Sequence, residues 1–172
     1  MEGSNAYRQG EQSAMIETYL DILKDSLEKK LVILTKIEKK SLEQSEMLKE
    51  PDVDLYSIDL NMDDKVKLID EINQLDEGFD SLYDRIKNEL VNEKDNYRKE
   101  IKSIQELIAK VTEKSSVIQA IEARNKSQID VLLADRKKEI QSKKSAMSVA
   151  RDYYQNMNKV KNVTPQFLDK KK

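Results

Sequence analysis

Apolar residues recur along this chain at spacings of three and four, in three long runs. In the first, Ile16, Leu20, Leu23, Leu27, Leu31, Leu34 and Ile37 fall on one face of a helix, and charged residues fill the opposite face. The pattern predicts a helix from about Ser13 to Lys49. It should end in "KEPDVD", because the residue before Pro51 is pushed out of helical geometry. The second run carries Met62, Val66, Ile69, Ile72, Leu75, Phe79, Leu82, Ile86 and Leu90. Its start is expected around Ser57 or Asn61, with Asn61 and Asp64 as the start signal and Asp63 in the first turn. Gly78 interrupts this run at a cost of about 1 kcal/mol relative to Ala. It is expected to permit either the close approach of a neighbouring helix or a slight bend.

The weakly apolar stretch "NELVNEKDNYRKE" predicts a turn near residues 88–95. The third run then begins at Tyr97 and passes through Ile101, Ile104, Ile108, Val111, Ile118, Ile121, Ile129, Leu132 and Leu133. It thins to Ile140, Met147, Ala150, Tyr153, Tyr154 and Met157, with no Gly or Pro between residues 79 and 164 to stop it. At 1.5 Å per residue the three helices would span roughly 55, 45–50 and 90 Å. The expected fold is therefore all-α: an elongated antiparallel bundle of about three long helices, the third longest and overhanging. Residues 1–13 read as a loose arm, 14–157 as the bundle and 158–172 as a tail beyond Pro165.

The overhang, from about Ile129 to Met157, is a narrow apolar seam with no intrachain partner of matching length. Ile129, Leu132, Leu133, Ile140, Met147, Tyr153, Tyr154 and Met157 are the candidate partner-binding residues, and Phe167 and Leu168 beyond Pro165 form a short apolar hook. Met adapts to varied surfaces and Tyr offers a large contact area with a polar tip. The seam suits an amphipathic segment of another protein and a homodimeric coiled coil equally well. Within the third run "EARNKSQ" places Glu122, Arg124 and Asn125 where the face is otherwise apolar. Asn125 lies seven residues after Ile118, on the seam. The expectation is a tolerated polar position near an opening bundle, the alternative a residue that sets register or contacts backbone.

Composition narrows the chemistry. The chain has 172 residues, 37% of them charged and 5% aromatic, with three Gly and two Pro, a balance that favours long helices over a thick core. Cys and His are both absent. Disulfides, zinc sites of the usual kinds and Ser-His or Cys-His nucleophiles are thereby excluded, and so is a His-containing di-iron bundle. Carboxylates and lysines are scattered over solvated faces, so no catalytic residue, cofactor or metal site is expected. No window is apolar for the ~18 residues that a membrane span needs. The first residues lack the basic and then apolar regions of a signal peptide, and a cytoplasmic setting is expected.

Charge drifts along the chain. Residues 1–90 hold 12 Lys and Arg against 22 Asp and Glu, whereas residues 126–172 hold 12 against 5. The gradient offers a way to steer a charged partner to one end. "DRKKEIQSKK" is a basic run, but its lysines do not share one face and no aromatics interleave for base stacking. It reads as a solvated face rather than a nucleic-acid site.

Three segments together carry a family resemblance: "LIDEINQLDEGFDSLYDRIKNEL", "IKSIQELIAKVTEKSSVIQAIEARNKSQID" and "DYYQNM…PQFLDKKK". They resemble the FlgN-type flagellar export chaperones in their Gram-positive form, over roughly residues 15–170. The likeness is one of helical layout, polar–apolar texture, and the tyrosine–Met and Pro–Phe tail. It implies a cytoplasmic, all-helical chaperone of flagellar type III export that binds hook–filament junction proteins of the FlgK and FlgL type, with the export apparatus as a further partner. Carried over to this chain, it implicates Ile129 to Met157, with Phe167 and Leu168. A structural coiled-coil scaffold that self-associates through the third helix is the alternative from another class. A filament-cap (FliT-type) chaperone is a closer rival, expected to be shorter than this chain.

Overall fold

The computed structural model describes residues 2–142 and the single residue Asn156. Helix α1 runs Glu2–Met47 (46 residues), α2 runs Leu55–Asn92 (38 residues), and a 3₁₀ turn over Lys94–Tyr97 leads into α3, Arg98–Ser142 (45 residues). The expected all-α, three-helix bundle is what forms, and no strand occurs among the described residues. The breaks also fall where the pattern predicts them. Ahead of Pro51 the last turn of α1 tightens, with Lys49 N–H donating to Glu46 O at 3.2 Å and Glu50 N–H to Met47 O at 3.2 Å.

Two compact units divide the chain: Met1–Ile33 with Glu71–Glu113, and Leu34–Asp70 with Lys114–Lys172. In unit 1 the core is dry. Ile16, Leu20 and Leu23 of α1 pack with Ile86 and Leu90 of α2 and with Tyr97, and Tyr19, Phe79, Leu82, Ile101 and Ile104 close around them. The pairing is antiparallel, and the Ser13 and Tyr97 hydroxyls meet at 3.1 Å. In unit 2, α1 again runs antiparallel to α2, as the Lys40–Asp64 pair at 3.2 Å shows, while α3 runs parallel to α1. Val53, Ile58, Met62, Ile129 and Leu133 form its apolar cluster, with Met47, Leu48, Leu55 and Leu132 against it.

Three local expectations are corrected. Residues 2–13 are not a loose arm: α1 already begins at Glu2, and residues 3–12 are helical yet exposed. Helix propagation adds one hydrogen bond for each residue fixed, so a well-nucleated helix continues past its last packed turn. Helix α2 starts at Leu55, before the expected position, because Asp54 caps it. The Asp54 carboxylate accepts from Tyr56 N–H and from Ser57 Oγ, both at 3.1 Å. Asn61 is instead a buried residue of the α2 interior, donating from Nδ2 to Lys40 O at 3.0 Å. Gly78 serves no close approach either, since a Cβ built there would meet nothing within 4 Å.

Gly78 therefore only costs helix stability. Gly78→Ala should raise unfolding stability by about 1 kcal/mol, and Asp54→Ala should lower it by about 1 kcal/mol. Urea titrations followed by circular dichroism would check both; a destabilised Gly78→Ala variant would show that the position needs its missing side chain.

Candidate functional site

Every described side chain that is polar or charged and buried lies in unit 2: Ser41, Gln44, Asp59, Asn61, Lys65, Glu122 and Asn125. Most of them join one layer. On α1, Ser41 and Gln44 follow Ile37 at spacings of four and three, so they occupy seam positions. On α2, Lys65 falls between Met62 and Ile69 in the same register. On α3, Glu122 and Asn125 lie between Ile118 and Ile129. The helical repeat that buries leucines elsewhere here turns five polar side chains toward one another.

The Lys65 side chain is 2% exposed and that of Glu122 is 4%. The Lys65 ammonium donates to Glu122 Oε1 at 2.7 Å and to Gln44 Oε1 at 3.1 Å. The Ser41 hydroxyl donates to the same Glu122 oxygen. Asn125 Nδ2 donates to the Ser41 carbonyl at 2.8 Å and to Gln44 Oε1 at 3.1 Å, and Asn125 Oδ1 accepts from Ser45 Oγ at 2.6 Å. Gln44 Nε2 points at the Met62 sulfur, 3.0 Å away. At the rim, Lys40 lies 3.2 Å from Asp64 and 3.5 Å from Glu43. These hydrogen-bonded carboxylates, Asp64 first, hold the Lys40 pKa above its usual value.

Burial pushes the Lys65 pKa down, and the charge and hydrogen bond of Glu122 oppose that shift. A lysine with a lowered pKa is a nucleophile where a reagent can reach it. Here the ammonium is enclosed by its partners on α1 and α3, so the layer holds helices together rather than presenting a reactive amine. Among the described residues, no group of His, Cys, Asp or Glu side chains could hold a metal ion, and no helix is long and apolar enough to cross a membrane.

The structure redistributes the candidate partner-binding residues. Ile129 and Leu133 are buried at 2% and 9% exposure in the unit 2 core, and Leu132 packs against the same cluster. These three are corrected to core residues: the interhelical connection Leu48–Asp54 folds Val53 over α3, and Arg136 donates to the Val53 carbonyl. The unpaired part of α3 begins after them. From Ala134 to Glu139 no side chain is buried, although the helix continues to Ser142. The Ile140 side chain, together with Met147, Tyr153, Tyr154, Met157, Phe167 and Leu168, lies outside the described residues, and so does the tail expected over 158–172.

Asn125 is the alternative of the two readings of "EARNKSQ": a buried seam residue that contacts backbone. Arg124 beside it is exposed. Lys65 is the member of the layer that pattern reading passed over. Its signal was present, since it stands three residues after Met62 and four before Ile69, where the run calls for an apolar side chain. Comparison with known proteins adds no name: no family model, no curated protein and no solved structure matches this chain.

Removing one member of the pair leaves a buried charge alone. Glu122→Leu should cost about 3–5 kcal/mol, whereas Lys65→Met with Glu122→Leu should be neutral or stabilising by about 1–4 kcal/mol. Urea denaturation of the three proteins would check this, and an additive double variant would show that the two groups are uncoupled. A second expectation concerns pH. Lys65 binds its proton less tightly when folded, so its contribution is full above the unfolded value of 10.5 and is lost as pH falls through the lowered folded pKa. Relative to the double variant, the wild-type protein should gain stability as pH rises from neutral toward 10.5; thermal melts across that range would read the difference.

Proposed function

We propose that this chain is a cytoplasmic FlgN-type export chaperone, which binds hook–filament junction proteins of the FlgK and FlgL type and keeps their apolar terminal helices from assembling early. The observation that carries the reading is the end of α3. The helix runs on past Leu133, its last buried side chain, and residues 134–139 bury nothing. In the sequence the apolar spacing nevertheless continues through Ile140, Met147, Tyr153, Tyr154 and Met157. A helical seam kept beyond the reach of its own core suits an amphipathic helix from another chain. No bond is made or broken, and affinity comes from apolar burial inside a polar rim. The acidic early residues and the basic late ones steer the approach.

Calorimetry with the C-terminal helical region of a FlgK-type subunit tests the reading on the full chain and on a chain ending at Ser142, which keeps every described core contact. Binding by the full chain that is lost on truncation is the expected result. Binding kept by the truncated chain would move the site into the bundle. Absence of binding by either, with a concentration-dependent dimer instead, would replace the chaperone with a coiled-coil scaffold. Tyr154→Ala with Met157→Ala should weaken binding about tenfold or more, a loss of about 1.4 kcal/mol, and leave the melting temperature unchanged. A large fall in melting temperature would assign those side chains to the core.

A further inference from the structure

The same three helices build a dry core in unit 1 and a polar one in unit 2. Unit 1 closes on Ile16, Leu20, Leu23, Ile86, Leu90 and Tyr97, whereas unit 2 places Lys65, Glu122, Asn125, Gln44 and Ser41 between its apolar residues. Asn61 adds a buried carbonyl, Oδ1, with no hydrogen-bond partner. The difference matters for opening rather than for shape. When an apolar interface opens, its full area meets water at a cost, but a charged and hydrogen-bonded layer regains hydration for every contact it gives up. Stability across a protein is not uniform, and pieces held by fewer apolar contacts open first.

We infer that the Lys65–Glu122–Asn125 layer is a latch, at which the part of α3 from Lys114 onward releases from α1 and α2 while unit 1 stays closed. The geometry supplies both properties that a latch needs. It is specific when shut: Glu122 Oε1 must meet both Lys65 Nζ and Ser41 Oγ, and Asn125 must meet a backbone carbonyl and two side chains. A slipped helix strands a buried charge. It is also weak relative to an apolar layer of the same size, because desolvating Lys65 opposes closure. Release uncovers Ile118, Ile121, Ile129 and Leu133 of α3 together with their seat at Leu34, Ile37, Ile58 and Met62. The device stands whether or not the proposed client is the right one.

Native-state hydrogen exchange of the full chain, read by mass spectrometry at increasing sub-denaturing urea, tests it. Amides around Ile118, Ile121, Asn125 and Ile129 should exchange through an opening at least about tenfold more populated than the one exposing Leu20, Leu23, Ile86 and Leu90. Lys65→Met with Glu122→Leu should raise protection over 114–133 by about tenfold or more and leave residues 16–27 unchanged. Glu122→Gln, which keeps the shape and strands the Lys65 charge, should lower protection over 114–133 alone. Equal protection in both units of the wild-type protein would overturn the inference. So would a Glu122→Gln variant whose loss of protection spreads equally to residues 16–27, since the bundle would then open as one piece.

Discussion

A lysine ammonium taken out of water has to meet a carboxylate or give up its proton, and unit 2 is arranged around that requirement. Lys65 reaches Glu122 at 2.7 Å only if α2 and α3 hold one register, and Ser41 reaches the same carboxylate only if α1 agrees. Apolar side chains cannot impose this: Leu on Leu tolerates a shifted neighbour, whereas a charge without its partner does not. The pair adds little net stability. What it contributes is a single arrangement of three helices.

Unit 1 shows what the alternative looks like. Its clusters come from the same spacing of three and four, its aromatics pack at the edges, and its long-range polar contacts lie toward the surface, as with Lys30 and Asp76 at 2.6 Å. Two units with opposite interiors in one chain allow different work from each. A dry unit supplies a stable platform, and a polar one can let part of a helix go without exposing much uncompensated apolar surface. The end of α3, where burial stops at Leu133 while the helix does not, lies on the polar unit.

Much of the fold was legible in the pattern. The three runs, the stop before Pro51 and the turn before Tyr97 all follow from periodicity and from the geometry of proline, which are local properties. The start of α2 was misplaced because two capping candidates compete in the sequence, Asp54 and Asn61. Only the fold reveals that Asn61 is needed inside, where it donates to Lys40 O. Ile129, Leu132 and Leu133 were assigned to a free surface for a similar reason. Counting residues placed them past the end of α2, but the connection around Val53 extends the core to meet them.

The sequence by itself determined the class of structure: charged, Gly-poor and periodic at 3.6, it has little choice but long helices with thin seams. It also determined which faces turn inward, and it carried the late apolar spacing on which the chaperone reading rests. Tertiary structure alone decided what the polar seam positions do. A Lys, a Glu and an Asn on three different stretches of chain look like tolerated interruptions until the helices are side by side. Whether a buried charge finds its partner depends on distances between residues some 57 to 84 positions apart, which no local pattern encodes.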